Sequence, residues 1–509
     1  MLRQAARRHP GGIAFVHRDR VLSWAELDDR VDAFVNVLAE RGVAKGDRVL
    51  VQSRNSHQLV ETMFACFRIG AVWVPTNFRQ TPGEVAWLAQ SSGAQLMVCD
   101  AHFPDHSAAC AIPDVIAIGS GDDADYDGLI DSRRGRPFRD ADVEHDDPCW
   151  FFYTSGTTGR PKAAVLTHGQ MAFVITNHLC DLMPATTDRD ASLVVAPLTH
   201  GAGVHLLTQV ARGAKTVLPG GDRFDAGEAW ALVERWGVTN MFTVPTILKL
   251  LVEHPSIDQH DHGSLRHVIY AGAPMYRADQ KRALAVLGPV LVQYFGLGEV
   301  TGAITVLRPE DHHAEDGPTI KPATCGRERT GMQVSIQNVE GREVGAGETG
   351  EICVCGPAVF AGYHDNDEAN AKAFRDGWFR TGDLGHLDAE GDLFITGRAS
   401  DMFISGGSNV YPREIEEKIL THEAIDEVAV VGMPDPVWGE IGVAVCVLRP
   451  DIELTDVALV EWLKGRIASY KLPRRVIFWD SLPKSGYGKV TKAAVKQALA
   501  DRGGADAAA

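Results

Sequence analysis

At 509 residues and 45% hydrophobic composition, the chain exceeds what one core usually serves, so roughly two to four domains or subdomains are expected. A formal net charge of −17 opposes a nucleic-acid backbone or an anionic membrane, so any anionic ligand must be held by a few local cations and backbone amides. No run of about 18 apolar residues and no secretory leader pattern occurs, and the nine cysteines lack CxxC or Cys/His spacing, which together predict a cytoplasmic protein with free thiols and no membrane span.

Along the chain, Ser23 and Glu26 form a capping box, and Leu27, Val31, Phe34, Val35 and Leu38 recur at helical spacing before Gly42. The run RVLVQ at 48–52 reads as a strand, and MFACFRIGAVWVP and AQLMVCD continue the alternation of helix and short apolar strand. That is the pattern of a parallel α/β architecture. An acidic, looser stretch covers Gly119 to Pro148. From Val334 to Gly356 glycine-punctuated β runs predict a small sheet subdomain, and a boundary falls near Arg398 to Asp401. Beyond it, Pro412 opens a helix, VAVVGM and GVAVCVL are strands, Asp456 to Ile467 is a second helix, and ADRGGADAAA reads as a disordered tail. The expected organisation is an α/β N-terminal domain, 1–398, with a small β subdomain, followed by a mobile α+β domain, 399–509.

The segment FFYTSGTTGRPK places hydroxyls, glycines and one lysine directly after an apolar strand. Glycines let backbone N–H groups turn toward phosphate oxygens, and hydroxyl and ammonium groups donate further bonds. It is a phosphate grip, but not the mononucleotide P-loop, because Lys162 is followed by Ala163 instead of a magnesium-holding Ser or Thr.

With this segment and six others in order, the chain resembles the adenylate-forming family, in its acyl-CoA synthetase and aryl-CoA ligase branch. The others are APLTHGAG, YAGAPM, QYFGLGEVTG, FRTGDLG, GRASDMFISGGSNVYPREIE and PKSGYGKVTK. The resemblance implies an AMP-forming acid–thiol ligase that uses ATP, Mg²⁺ and coenzyme A with a small-molecule carboxylic acid, without nucleic acid; a homodimer is compatible with it. A carboxylate is a poor acyl donor, so it is first joined to AMP, and fixed donors must meet the charge that accumulates.

Residue by residue, the resemblance implies catalytic roles for Lys489, His200 and Glu299, with Glu299 and Thr154 at the metal. Thr154, Ser155, Gly156, Thr157, Thr158, Gly159 and Lys162 would grip phosphate. Gly272, Ala273, Pro274, Phe295 and Gly296 would lie at the nucleotide, and Asp383 and Arg398 at the ribose. Asp401 corresponds to the hinge, Gly406 and Gly407 to the coenzyme A tunnel, and Val244, Tyr270, Ala271 and Leu297 to the acyl pocket. The chain departs from the family at Gly298, where a Thr or Ser usually precedes the glutamate; Thr157, Thr158 or Thr301 are alternative sources of the lost hydroxyl. No Lys or Arg lies in 268–275 or 289–306, which favours an acid with a neutral aromatic, branched or medium-chain tail. Two other readings share these motifs: an enzyme loading a carrier protein, and a non-catalytic nucleotide-binding homologue.

Overall fold

The computed structural model describes the chain apart from residues 122–124, 155–159, 222, 274, 318–319, 406–407, 485–489 and 507–509, with residues 408–409 and 503–506 described as backbone only. Two large sheets dominate the N-terminal part. In the six-stranded sheet, the strands Asp114–Ile118, Leu96–Asp100, Arg48–Gln52, Val72–Pro75 and Pro148–Thr154 run parallel, and Lys162–Thr167 closes the edge antiparallel. In the nine-stranded sheet, Leu291–Phe295, His267–Tyr270, Asn240–Thr243, Ala191–Val194, Lys215–Leu218 and Ile13–His17 form the parallel centre.

Helices form where the periodicity placed them. The helix Trp24–Glu40 starts with the full Ser23–Glu26 capping box, and the helix Pro412–Ile419 starts on its proline. The main core lies between the two sheets, where Val49, Trp73 and Trp150 of one meet Phe242, Ile269 and Tyr294 of the other through intervening helices. Alternate residues of the nine-stranded sheet, Met241, Val268 and Tyr270, enter a second core on its far face.

The β-rich segment forms a five-stranded sheet that includes Gln333–Gln337, Gly350–Cys355 and Trp378–Leu387, and the last part of the chain has its own five-stranded sheet and core. Three readings change. The helix expected over 456–467 ends at Leu463. The stretch 119–148 contains the helix Tyr126–Asp131, held because Asp127 pairs with the buried Arg30. The C-terminal helix Lys492–Asp506 runs into what reads as a tail; its own Val495 is fully buried against the terminal sheet, and that packing outweighs the weak helix propensity of Gly503 and Gly504. Among the described residues no helix is long and apolar enough to cross a membrane.

Candidate functional site

The phosphate-grip segment connects two antiparallel strands. Thr154 ends one strand and pairs directly with Lys162, the first residue of the next. Ser155, Gly156, Thr157, Thr158 and Gly159 lie outside the described residues.

Glu299 meets this strand pair from the other large sheet. It sits in the short 3₁₀ turn Gly298–Val300 and is buried. Thr154 Oγ1 donates to Glu299 Oε1 at 2.8 Å, and Tyr363 Oη donates to the same oxygen at 3.0 Å. Lys162 Nζ stands 5.2 Å above the Tyr363 ring, so the lysine, the tyrosine, the threonine and the glutamate form one cluster. Burial, with the Glu299 charge added, pushes the Tyr363 phenol well above its ordinary pKa and keeps it a donor. Tyr363 carried no motif signal in the sequence; only the fold brings it in.

Gly298 has a steric explanation. A Cβ there would stand 2.5 and 2.6 Å from two ring carbons of Phe152 and 2.9 Å from Thr154 Cγ2. The phenyl ring occupies the space that a Thr or Ser side chain would take. Of the alternative sources of that hydroxyl, Thr301 donates to the Val300 carbonyl at 2.7 Å, and Thr157 and Thr158 lie outside the described residues.

His200 precedes the helix Gly201–Arg212, with its ring edge-on to Phe152 at 5.1 Å and Nδ1 within 3.0 Å of Thr199 Oγ1. Phe295, Gly296 and Leu297 lead from the strand Leu291–Phe295 toward Glu299, and the loop closes tightly because a Cβ on Gly296 would be 2.4 Å from Gly302. Gly272, at φ +82°, and Ala273 follow the next parallel strand, with Val244 at the corresponding end of its neighbour; Pro274 is outside the described residues. These loops follow the carboxyl ends of adjacent parallel strands, where open α/β sheets place ligands.

Asp383 and Arg398 are opposite each other on neighbouring antiparallel strands, with Arg398 Nε donating to Asp383 Oδ1 at 3.0 Å. Burial raises the Asp383 carboxyl above its usual pKa, and Arg398 pulls it partly back. Arg398 itself is half-exposed, free to meet a ligand with its remaining donors. Asp401 follows directly, its N–H bonded to the Arg398 carbonyl at 3.0 Å. Gly406, Gly407 and Lys489 fall outside the described residues.

One acyl-pocket assignment is corrected. Tyr270 points to the far face of its sheet, where its hydroxyl bonds Gln293 at 3.1 Å, His312 at 3.0 Å and Gln280 at 3.0 Å. Strand alternation sends it away from Ala271, which packs in the core between the sheets. Phe242 and Tyr294 occupy the near face instead, and neither was singled out by motif. The histidines at 254, 260, 262 and 267 do not converge on a metal: His254 faces Ser256 at 2.5 Å and His260 pairs with Glu234 at 2.8 Å.

Comparison with known proteins follows the same outline. The AMP-binding enzyme family model matches residues 2–364, and the model of the AMP-binding enzyme C-terminal domain matches 414–489. A feruloyl-CoA synthase from an Amycolatopsis species is 37% identical over 497 residues, covering 97% of each chain. An indoleacetate–CoA ligase from Aromatoleum aromaticum is 35% identical and covers 96% of each. The structure of O-succinylbenzoate coenzyme A synthetase from Bacillus subtilis in complex with AMP superposes with a TM-score of 0.85 at 29% identity, over 97% of both chains.

Proposed function

The chain belongs to the AMP-binding enzyme family and is an AMP-forming acyl-CoA synthetase that uses ATP and coenzyme A, and on that premise we propose an aryl acid as its substrate and the cluster around Glu299 as its catalytic centre. The observation that carries the proposal is the bonding of Thr154 and Tyr363 to Glu299, with Lys162 over the Tyr363 ring, and aromatic rings on either side: Phe152 against Gly298, and Phe242 stacked on Tyr294 against Gly201. Aromatic walls favour a planar acyl group, and feruloyl and indoleacetate ligases are among the relatives.

In the first half-reaction a carboxylate oxygen attacks the α-phosphorus, a new P–O bond forms, and diphosphate leaves. Lys489 would bridge the carboxylate and phosphate oxygens, and the 155–159 loop with Lys162 would grip the leaving group. Glu299 fits a magnesium ion, because Thr154 and Tyr363 both engage Oε1, which leaves Oε2 for a hard cation. Bound there with help from Thr154, the ion would neutralise phosphate charge. Asp383 would accept from the ribose hydroxyls, with Arg398 keeping it ionised. In the second half-reaction the thiol sulfur attacks the acyl carbonyl, loses its proton, and AMP departs; Gly406 and Gly407 would border the thiol's path.

The division at about 398–401 into a large domain and a swinging small domain with Asp401 as hinge is part of the same proposal, as is a cytoplasmic setting, which the nine unpaired cysteines support. The test is a panel of aryl, branched and medium-chain acids assayed for AMP release with and without coenzyme A. Release that depends on both an aryl acid and coenzyme A supports the proposal. Release without coenzyme A, or only with a carrier protein, overturns the acceptor.

A further inference from the structure

The loop that carries Glu299 holds a backbone conformation that its own residues do not favour. Thr301 and Gly302 both lie in the left-handed region, at φ +49° and +77°, and a residue with a side chain takes that backbone only where its surroundings enforce it. Inside the loop the Leu297 carbonyl accepts from the N–H groups of Val300 and Gly302 at 3.1 and 3.0 Å. The Glu299 carbonyl accepts from the Phe360 N–H at 2.8 Å, on the segment that leads to Tyr363. At the far end the bond comes from a side chain: Arg329 Nη1 donates to the Gly302 carbonyl at 3.3 Å.

Arg329 is fully buried, with its guanidinium 5.9 Å from the Tyr294 ring. Placed there it gives up its hydration, and its Nε has no hydrogen-bond partner among the described residues. Burial lowers its pKa to about 10, which still leaves it charged at neutral pH. An apolar side chain of similar length would fill the same space without the desolvation penalty, so stability does not account for an arginine at this position.

The guanidinium is itself set by the end of the helix His168–Asp181. Nη2 donates to His178 Nδ1 at 3.0 Å. Arginine has only donors, so Nδ1 accepts and the ring proton sits on Nε2; burial, and then the guanidinium, holds the His178 pKa well below the ordinary histidine value and keeps the ring neutral. The neighbouring backbone is clamped by the same helix end: Asp181 accepts from the Thr330 N–H and hydroxyl, each at 2.8 Å, and Asn177 Nδ2 donates to the Thr330 carbonyl at 2.6 Å. Loss of the guanidinium would strand its partners unequally. His178 can move its proton to Nδ1 and donate to the Val174 carbonyl, 3.1 Å away. Asp181, 3.9 Å from Arg329 Nε, keeps its bonds to Thr330 and Asn177. Of the three, the Gly302 carbonyl is the one left without its donor.

We propose that Arg329 is a positioning residue for adenylation, which through the Gly302 carbonyl holds the 298–302 turn and so keeps the Glu299 carboxylate set for the cation on the nucleotide phosphates. The inference rests on the reading of Glu299 as the magnesium ligand and adds the residue that keeps it in place.

The experiment measures two things on the full chain: amide hydrogen exchange of the peptide 296–304 by mass spectrometry, and calorimetric ATP affinity with Mg²⁺ and with EDTA. The variants are Arg329→Met, Arg329→Lys, Glu299→Gln and the Arg329→Met/Glu299→Gln double. Arg329→Met should exchange the 296–304 amides about tenfold faster and reduce the gain in ATP affinity from Mg²⁺ by about tenfold, with affinity in EDTA unchanged. In the Glu299→Gln background it should change that gain by less than about twofold, because both substitutions act on one carboxylate. Arg329→Lys keeps the charge but not the fork and should fall between the wild type and Arg329→Met; should Arg329→Met fail to fold, the lysine variant decides by the same two measurements. Wild-type exchange over 296–304, or additive losses in the double variant, overturns the proposal. If Glu299→Gln leaves the effect of Mg²⁺ intact, the reading of Glu299 as the magnesium ligand fails separately, while the exchange rates still decide whether Arg329 holds the turn.

Discussion

Glu299 concentrates the chemistry of the described site on one carboxylate, and its neighbours have unequal weight. Glu299→Gln removes the charge that would hold the metal and should lower acid-dependent pyrophosphate exchange by about 10²-fold or more. Tyr363→Phe deletes one of two donors to the same oxygen and should cost only about three- to tenfold; a larger loss would mean that the phenol contacts ATP directly. Gly298 makes a different prediction because Phe152 fills its side-chain space. Gly298→Thr restores the residue usual in the family, yet should lower the melting midpoint and weaken exchange, since forcing atoms into a filled core costs about 1–3 kcal/mol. Adding Phe152→Ala should recover most of both losses. A Gly298→Thr single variant that is more active than the wild type would refute the steric account.

At the scale of elements, the helix Gly201–Arg212 is secured to the nine-stranded sheet by His205. Its Nε2 donates to Asn240 Oδ1 at 2.8 Å and lies 3.1 Å from Ser192 Oγ, while Nδ1 is buried without a partner among the described residues. Protonating that nitrogen would bury an unpaired N–H, and burial accordingly lowers the pKa to about 4, with the Asn240 bond opposing part of the shift. The folded-state pKa is depressed relative to an unfolded histidine near 6.5, so the unfolded chain binds the extra proton. His205 therefore contributes stability that is present above about pH 6.5 and lost as pH falls toward 4, on the order of 2–3 kcal/mol. Urea unfolding followed by tryptophan fluorescence should show His205→Gln with a shallower loss of stability between pH 7 and 5 than the wild type. Equal slopes would exclude the histidine as the titrating group.

For the whole molecule, the contacts between the last part of the chain and the rest bear on the proposed reorientation. Lys249 pairs with Asp426 at 2.7 Å across the junction, but both side chains are partly exposed, and such a pair contributes at most about 1 kcal/mol. Arg413, paired with Glu417 at 2.9 Å, brings its charge to bear on Asp383 and Cys325 of the large domain. The proposed change of orientation between half-reactions would have to break these contacts. Asp401→Pro removes the N–H that bonds the Arg398 carbonyl and stiffens the joint. Single-turnover assays should show adenylation within about threefold of the wild type and thioester formation at least about tenfold slower. Equal slowing of both would relocate the hinge.

Much of this protein is legible in its sequence, because the relevant signals are local. The Ser23–Glu26 cap, the 48–52 strand and the Pro412 helix start depend on neighbours a few residues away, and the motif segments carry their chemistry in consecutive residues. The sequence marked Asp383 and Arg398 only through the family resemblance; that they pair with each other across adjacent strands came from the fold. What the sequence left open involves contacts between residues far apart in the chain. Tyr363 reaches Glu299 over 64 positions, Phe152 accounts for Gly298, and Arg329 comes to lie behind Tyr294. Tyr270 was misplaced because a motif specifies which backbone lines a site, while the parity of a strand specifies which face a side chain takes. Sequence alone thus determined the family chemistry of activating an acid on AMP; only the packing of the two large sheets decided which side chains surround that chemistry, since their partners are set by distance in space.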